Sequence, residues 1–266
     1  MTLNAIKNTL FIGNVWHHYD SLHSTNDLAA EWLSNNALKS QITEGGLFTT
    51  FNQTAGRGQM GNQWIVEPDQ NIAFSVVLYP TFLDAREQFH LNKAIALAVH
   101  DFFTEIIKQE NAALTGGCKI KWSNDIYFYD QKIAGILIQN TLSGSRLQHA
   151  IIGIGLNINQ LDFPNDFNAT SLKREFERSF DLFALVARLA KNIEIRYLQL
   201  KKGDFRSLHD EYLSKMYRFG EESWFQYPDG TPFRGTIMGV SSVGRLEVLT
   251  TEGVKNFDIK EVKFVI

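Results

Sequence analysis

The stretch of the chain best suited to binding an anion is a glycine-rich loop at residues 53–64. It reads Gln-Thr-Ala-Gly-Arg-Gly-Gln-Met-Gly-Asn-Gln-Trp and follows a strand-like segment. Backbone N–H groups of glycines can converge on an anion without Cβ clashes, and Arg57, between two glycines, can hold a phosphate or carboxylate with paired hydrogen bonds. The alternative is a surface turn with a solvated arginine. The closeness of Gln53, Arg57 and Trp64 favours a binding role.

The same loop satisfies the pattern of a dinucleotide-binding motif. Gly56, Gly58 and Gly61 fit G-x-G-x-x-G, but that motif needs a helix that starts at its last glycines. Here Trp64 leads into another strand, and Pro68 blocks helix continuation. The sequence therefore argues against a nicotinamide nucleotide.

Three later stretches offer further cations, amides and glycines, at residues 121–125, 132–135 and 153–157. Period-2 alternation places Lys119 and Lys121 on one face of a strand, ahead of the turn-like Ser123-Asn124-Asp125. Lys132 enters a buried strand, and two glycines interrupt the strand at 152–158, where a ligand or another backbone could come close. Taken singly, the three stretches also fit a solvated β-turn, an edge-strand lysine and a β-bulge.

Hydrophobic periodicity predicts the elements that must position these residues. Ser24 has the type and place of a helix N-cap, and two long core helices are predicted around residues 91–106 and 182–200, with Gly203 ending the second. Strands are predicted at residues 47–52, 71–79, 119–122, 126–129, 133–139 and 150–158.

From about Tyr217 the pattern changes to short strands separated by tight turns, at residues 223–227, 233–240, 245–250 and 254–259. These predict a small antiparallel barrel packed on the main domain. The predicted fold class is therefore α+β, with a mixed sheet backed by helices in residues 1–217 and a C-terminal β-barrel in residues 218–266.

Composition limits the classes of partner. The 266 residues carry a formal net charge of -3 and a sequence pI of about 6.2, so no overall basic field attracts nucleic acid. Cys118 is the single cysteine, which excludes an internal disulfide and is expected to be buried rather than nucleophilic. Neither a signal peptide nor a transmembrane stretch is apparent, so a cytoplasmic protein without membrane partners is expected.

Taken in this order, the motifs resemble the biotin–protein ligase (biotin–acetyl-CoA-carboxylase ligase) family. The matching pieces span most of residues 17–160, and they are Ser24-Thr25-Asn26, the loop at 53–64, Lys121-Trp122-Ser123-Asn124-Asp125, 132–135 and 153–157. The C-terminal strands resemble the SH3-like domain that closes this family. The resemblance implies an enzyme that forms biotinyl-5′-AMP from biotin and ATP with Mg²⁺. It then transfers biotin to a lysine of a biotin carboxyl carrier protein.

The resemblance also implies roles for individual residues. Residues implied to bind biotin are Ser24, Thr25, Asn26, Gln53, Arg57, Gly58, Gln59, Lys132 and Gly135. Residues implied to bind ATP or the adenylate are Gly56, Arg57, Gly61, Trp64, Lys121, Asn124, Lys132 and Asn157. The metal ligands are left unassigned.

The chemistry suits these residue types independently of the family. A carboxylate that attacks the α-phosphorus of ATP brings two anions together, so cations must screen their repulsion. Arg57, Lys121 and Lys132 are the candidate cations, and Asp125 could orient the acceptor amine or take its proton.

The chain departs from the family pattern at two positions. Gln59 stands where many members have Arg, and Ser123 stands where Pro is usual. Only 23 residues precede Ser24, too few for the winged-helix DNA-binding domain of the bifunctional repressor–ligases. A homodimer through a sheet edge also fits the family. The alternatives are a lipoate–protein ligase, a non-catalytic biotin-responsive repressor and a generic α+β domain.

Overall fold

An eight-stranded mixed sheet carries the first part of the chain. The computed structural model describes residues 2–3, 6–64, 66–164 and 167–265. The first ten strands are β1 (Thr2–Leu3), β2 (Trp16–Tyr19), β3 (Leu47–Thr50), β4 (Gly56–Arg57), β5 (Gln63–Trp64), β6 (Ile72–Leu78), β7 (Cys118–Lys121), β8 (Asp125–Phe128), β9 (Gln131–Ser143) and β10 (Arg146–Leu156). The sheet order is β1-β2-β3-β6-β10-β9-β8-β7, while β4 and β5 form a separate ladder. Only the β2–β3 pair is parallel among the described pairings of this sheet.

Helices cover both faces of this sheet. They are α1 (Thr25–Ser34), α2 (Asn36–Lys39), α3 (Phe89–Glu110), α4 (Leu172–Phe176), α5 (Leu182–Lys201) and α6 (Phe205–Ser214). The helices α3, α5 and α6 bury the larger apolar core against one face. On the other face α1 packs Ala29 and Leu33 against Phe48, Val77 and Ile151. Strand alternation makes this division, because successive side chains point to opposite faces of a sheet.

The limits of the two helices that were predicted from capping residues are confirmed. Ser24 is the N-cap of α1, and its hydroxyl accepts a hydrogen bond from the backbone N–H of Asp27 at 3.3 Å. Helix α5 ends at Lys201, and Gly203 has a φ of 79°, a conformation that glycine adopts without strain. The predicted helix around residues 91–106 is α3, in which Leu91, Ile95 and Val99 are fully buried.

All six strands predicted before residue 160 are present, with ends that differ by a few residues. Helix α6 was not predicted, although Leu208 and Tyr212 are buried and Phe205 and Leu213 pack against the core at helical spacing. Strand β2 was not predicted either. Its sequence, Trp-His-His-Tyr, has no clear alternation of apolar and polar residues.

The remaining strands form a second, C-terminal sheet. They are β11 (Glu222–Gln226), β12 (Pro232–Val240), β13 (Leu246–Thr250), β14 (Gly253–Phe257) and β15 (Lys263–Phe264). The sheet is antiparallel with the order β14-β13-β12-β11-β15, and in the described part of the chain no pairing joins β14 to β15. The four predicted strands correspond to β11–β14, and the α+β class is as predicted.

Two further expectations concern single features. Cys118 is 2% exposed, and burial raises the pKa of its thiol to about 12, so at neutral pH it is a protonated core side chain. Across the described residues, no helix has both the length and the apolar character needed to cross a bilayer.

Candidate active site

The floor of the site is a row of small residues that crosses four strands on the α1 face of the sheet. Ala73 of β6 lies opposite Gly155 of β10, and Gly155 lies opposite Gly135 of β9. The row continues to Asp125 at the start of β8. Directly opposite residues in antiparallel strands share a face, so two glycines and an alanine leave an open trough beside Asp125.

Gly153, a further glycine of β10, makes room for a buried amide beside this trough. Gly153 lies opposite Ser75, and a Cβ at Gly153 would come within 2.3 Å of Asn26 Oδ1. The Ser75 hydroxyl lies 2.6 Å from Asn26 Oδ1 and 2.6 Å from the hydroxyl of Thr25. From the sequence, Gly153 and Gly155 were interpreted as a place where a ligand or another backbone comes close, or as a β-bulge. In the structure they make room for the side chains of Asn26 and Trp64. The register shift of β10 lies elsewhere, between Leu147 and His149.

Polar groups from three elements close this end of the pocket. The Gln53 side-chain oxygen accepts a hydrogen bond from the backbone N–H of Thr25 at 2.8 Å. The Asn26 amide donates to the Gln139 side-chain oxygen at 3.2 Å. Thr25 and Asn26 are each 4% exposed. This end can therefore recognise a small polar group that has both donors and acceptors.

A lysine–carboxylate pair occupies the other end of the pocket. Lys132 Nζ lies 2.7 Å from Asp125 Oδ1, and the two side chains are 30% and 29% exposed. The Lys132 backbone is held on both sides: its N–H donates to the Asn168 carbonyl at 2.9 Å, and its carbonyl accepts from the Asn157 amide at 3.3 Å. A partly buried ammonium fixed in this way can bind a carboxylate or phosphate.

The indole of Trp64 lies on the glycine floor between the two ends. A Cβ at Gly155 would come within 2.2 Å of Trp64 Cε2, and the ring centre lies 5.6 Å from Lys132 Nζ. The Trp64 indole nitrogen is buried and has no hydrogen-bond partner among the described residues. The free volume of the pocket is about 120 Å³. Ligand pockets usually measure roughly 300 to 1,000 Å³, so a ligand must displace the indole to bind on the floor.

The glycine loop forms one wall. Its β4–β5 ladder pairs Gly56 with Trp64, and the Gly58 N–H donates to the Asn62 carbonyl at 2.7 Å. Arg57 Nη1 lies 2.6 Å from Asp27 Oδ1 at the first turn of α1, and its side chain is 56% exposed. Trp64 belongs to a strand, which agrees with the argument against a dinucleotide-binding helix.

The segment of residues 121–125 forms the opposite wall. The amide of Asn124 donates to the Ile136 carbonyl, and the Trp122–Ser123 peptide is cis. Lys121 donates to the Tyr127 hydroxyl at 3.0 Å and lies over the rings of Tyr127 and Phe264. Burial lowers the pKa of Lys121 to about 8. Lys121 lies opposite Asp125 in the β7–β8 pairing, and Lys119 and Lys121 share one strand face, as the alternation predicted.

Twelve of the predicted site residues line one pocket: Ser24, Thr25, Asn26, Gln53, Arg57, Gly58, Gln59, Trp64, Asn124, Asp125, Lys132 and Gly135. Four others do not line it. Lys121 faces an adjoining groove, and Gly56 and Gly61 line the far side of the loop. Asn157 lies behind Lys132, whose carbonyl it binds. The roles that the resemblance implied for these residues stay predictions.

Sequence reasoning missed several members of the site. Ser75 had a detectable signal, since it is a polar residue inside an otherwise apolar strand and shares a face with Ala73. Asp27 and Gln139 had none, because their partners Arg57 and Asn26 are distant in the sequence.

Comparison with known proteins identifies the family of this chain. The family described as the biotin/lipoate A/B protein ligase family matches residues 18–157. The chain is 30% identical over 243 residues to the bifunctional ligase/repressor BirA of Bacillus subtilis, covering 90% of this chain and 70% of that protein. It is 27% identical over 234 residues to the biotin--[acetyl-CoA-carboxylase] ligase of Mycobacterium tuberculosis, covering 88% of this chain and 84% of that protein.

Among solved structures, a biotin protein ligase from Aquifex aeolicus in complex with biotin and ATP superimposes with a TM-score of 0.75 at 26% identity. The superposition covers 94% of this chain and 99% of that one. The fold and the family match together define the chain as a ligase. The chain belongs to the biotin/lipoate A/B protein ligase family.

Proposed function

We propose that the chain is a biotin–protein ligase. It would form biotinyl-5′-AMP from biotin and ATP, then join biotin to a lysine of a biotin carboxyl carrier protein. The observation that carries the proposal is one pocket with a buried polar cluster at one end and the Lys132–Asp125 pair at the other. Biotin has the same layout, with a ureido ring, an apolar chain and a terminal carboxylate. The biotin ligases among the relatives support it.

In the first step, a carboxylate oxygen of biotin attacks the α-phosphorus of ATP and pyrophosphate leaves. Both reacting groups are anionic, so a fixed cation stabilises the transition state. We assign this role to Lys132, because Asp125 holds its ammonium at 2.7 Å before any ligand arrives. Arg57 is a second candidate, which must release Asp27 to reach the phosphates.

In the second step, the neutral amine of an acceptor lysine attacks the carbonyl of the mixed anhydride. AMP leaves with the electron pair of the broken C–O bond, and the amine loses a proton. Asp125 is the pocket carboxylate that we propose to orient the amine or take this proton. Closure of the glycine loop would exclude water, which otherwise hydrolyses the anhydride.

The adenine of ATP needs an aromatic or amide surface. Trp64, once displaced from the floor by biotin, would present its indole to the base. Asn124 lines the pocket wall and could bond the base edge. Asn157 binds the Lys132 carbonyl, so we propose that it supports Lys132 and that any contact with adenine is secondary.

Magnesium is expected to enter with ATP. No group of three or more His, Cys, Asp or Glu side chains able to hold a metal ion occurs among the described residues. Mg²⁺ commonly binds through substrate phosphates and only one or two carboxylates. The present residues build no cage for it, and no step above depends on a metal held by the protein.

The polar end of the pocket favours biotin over lipoate. The ureido ring offers two N–H donors and a carbonyl acceptor, which match the amides and hydroxyls of Thr25, Asn26 and Gln53. The dithiolane ring of lipoate has neither kind of group, so it would bury these polar atoms without partners.

The test combines the protein with ATP, Mg²⁺ and biotin and follows pyrophosphate release. Adding a carrier domain and probing for bound biotin then tests transfer. A carrier whose acceptor lysine is changed to arginine is the control. We expect pyrophosphate release that depends on biotin, and we expect biotin to be attached only to the carrier that keeps its acceptor lysine. Preferential use of labelled lipoate in a competition assay, or labelling of neither carrier, would contradict the proposal.

A further inference from the structure

The C-terminal sheet contacts the pocket wall through a tight turn at residues 241–245. Within this turn, the Gly244 N–H donates to the Ser241 carbonyl at 3.0 Å, and the Arg245 N–H donates to the Ser241 hydroxyl at 3.0 Å. Gly244 has a φ of 96°. These bonds hold the turn in one conformation, in which the Gly244 carbonyl faces Trp122.

One hydrogen bond joins this turn to the pocket wall. The Trp122 indole N–H donates to the Gly244 carbonyl at 2.9 Å, and Trp122 is 8% exposed. Two residues further along, Asn124 lines the pocket and bonds to Ile136 of β9, and Asp125 then holds Lys132. The wall is thus held by the C-terminal sheet at Trp122 and by β9 at Asn124.

The turn also lies close to helix α3 at Gly244. A Cβ at Gly244 would lie 2.5 Å from Cδ2 and 2.8 Å from Cγ of Phe89, at the start of α3. Phe89 packs edge-on against Tyr212 of α6, whose hydroxyl donates to the Ser123 carbonyl at 3.1 Å. The turn, α3, α6 and the wall therefore form one continuous set of contacts.

We infer that Gly244 and Trp122 are positioning residues for adenylate formation: through them the C-terminal sheet holds Asn124 and Asp125, and hence Lys132, in place. The inference rests on the proposed function, since it concerns the same step. The C-terminal sheet would then support adenylate formation by positioning residues of the pocket wall. Small displacements of a positioned reacting group can cost about a hundredfold in rate.

Two substitutions test the link, and a third is a matched control. Gly244→Ala drives a methyl group into Phe89. Trp122→Phe keeps a six-membered aromatic ring but removes the pyrrole ring with its N–H donor. Gly253→Ala is the control. Gly253 belongs to the same sheet and also has a positive φ, of 107°, but no atom of the described residues lies within 4 Å of its Cβ position. Gly244→Ala and Gly253→Ala therefore carry similar backbone strain and differ in the contact.

Single-turnover kinetics separates positioning from loss of folded protein. We expect the adenylation rate constant at saturating biotin and ATP to fall about tenfold or more in Gly244→Ala and Trp122→Phe, and less than about twofold in Gly253→Ala. The Kd for biotin alone should change by a smaller factor than the rate constant, because the ureido ring binds residues on other elements and only the carboxylate is bound by Lys132. A purely structural role would lower the amplitude with an unchanged rate constant. Adding Phe89→Ala to Gly244→Ala should restore part of the rate.

Hydrogen–deuterium exchange tests the contact between Gly244 and Trp122 without an activity measurement. Amides of residues 121–126 should exchange faster in Gly244→Ala and Trp122→Phe than in wild type, and not in Gly253→Ala. Equal exchange and equal rate constants in all three variants overturn the inference. If the wild-type protein forms no adenylate from biotin, the proposed function is refuted instead. The exchange experiment then still tests whether Gly244 and Trp122 hold residues 121–126 in place.

Discussion

Replacing Gly153 by alanine should damage the polar end of the pocket without touching any residue proposed to do chemistry. The new Cβ would lie 2.3 Å from Asn26 Oδ1 and 2.8 Å from Cγ of the same side chain. Real Cβ contacts are never so short, so Asn26 must move. The Asn26 side chain is buried, and it has no free space on the side of Ser75, whose hydroxyl lies 2.6 Å away.

The magnitude follows from the bonds that Asn26 would lose. The two shortest hydrogen bonds of the Asn26 side chain are those to Ser75 at 2.6 Å and to Gln139 at 3.2 Å. Neutral hydrogen bonds contribute about 1 kcal/mol each, so losing both costs about 2 kcal/mol. If Asn26 positions the ureido ring, the Kd for biotin should rise by roughly thirtyfold.

Calorimetric titration with biotin alone measures this directly. Gly116→Ala is a suitable control, because nothing lies within 4 Å of its Cβ position and its φ is ordinary. In an Asn26→Ala background the clash is absent, so adding Gly153→Ala should weaken binding no further. An unchanged Kd in the single variant would refute the reasoning, as would equal losses from Gly153→Ala in both backgrounds.

Three further predictions concern single side chains. Lys132→Met should slow adenylate formation about 100-fold or more, since a lost charge-assisted contact in a dry site costs about 3 kcal/mol; Lys119→Met should not, and near wild-type pyrophosphate release in Lys132→Met would remove Lys132 from the mechanism. Gln59→Arg should slow release of the adenylate about tenfold in a ligand chase, because a cation replaces a neutral amide in the pocket lining; an off-rate as fast as wild type would mean that the phosphate is already satisfied. Lys93 is 2% exposed and its pKa is lowered to about 8 by burial, so its folded form binds a proton less tightly than the unfolded chain does. The free energy of unfolding should therefore rise between about pH 8 and pH 10.5, by up to about 3 kcal/mol from this group, and urea melts of Lys93→Met should show a shallower rise; an unchanged slope would contradict it.

Local regularities of the sequence were enough to predict most of the elements. The spacing of apolar residues indicated α3 and α5, and Ser24 and Gly203 marked helix limits that the structure confirms. The alternation in β7 correctly placed Lys119 and Lys121 on the less buried face. Side-chain direction repeats about every 3.6 residues in a helix and every 2 residues in a strand, so residues close together in the sequence are enough to predict these features.

The partners of those residues could not be predicted in the same way. Gly153 touches Asn26 across 127 positions, and Trp122 reaches Gly244 across 122. Such contacts depend on strand order and register, which are decided by how the whole apolar surface is buried and not by any local pattern. A motif can therefore mark Gly153 as a place where something comes close, while only the tertiary structure shows that a buried amide fills it. For the same physical reason, residues 121–125 could be singled out as a motif from the sequence, but only packing against the C-terminal sheet shows what holds this segment in place.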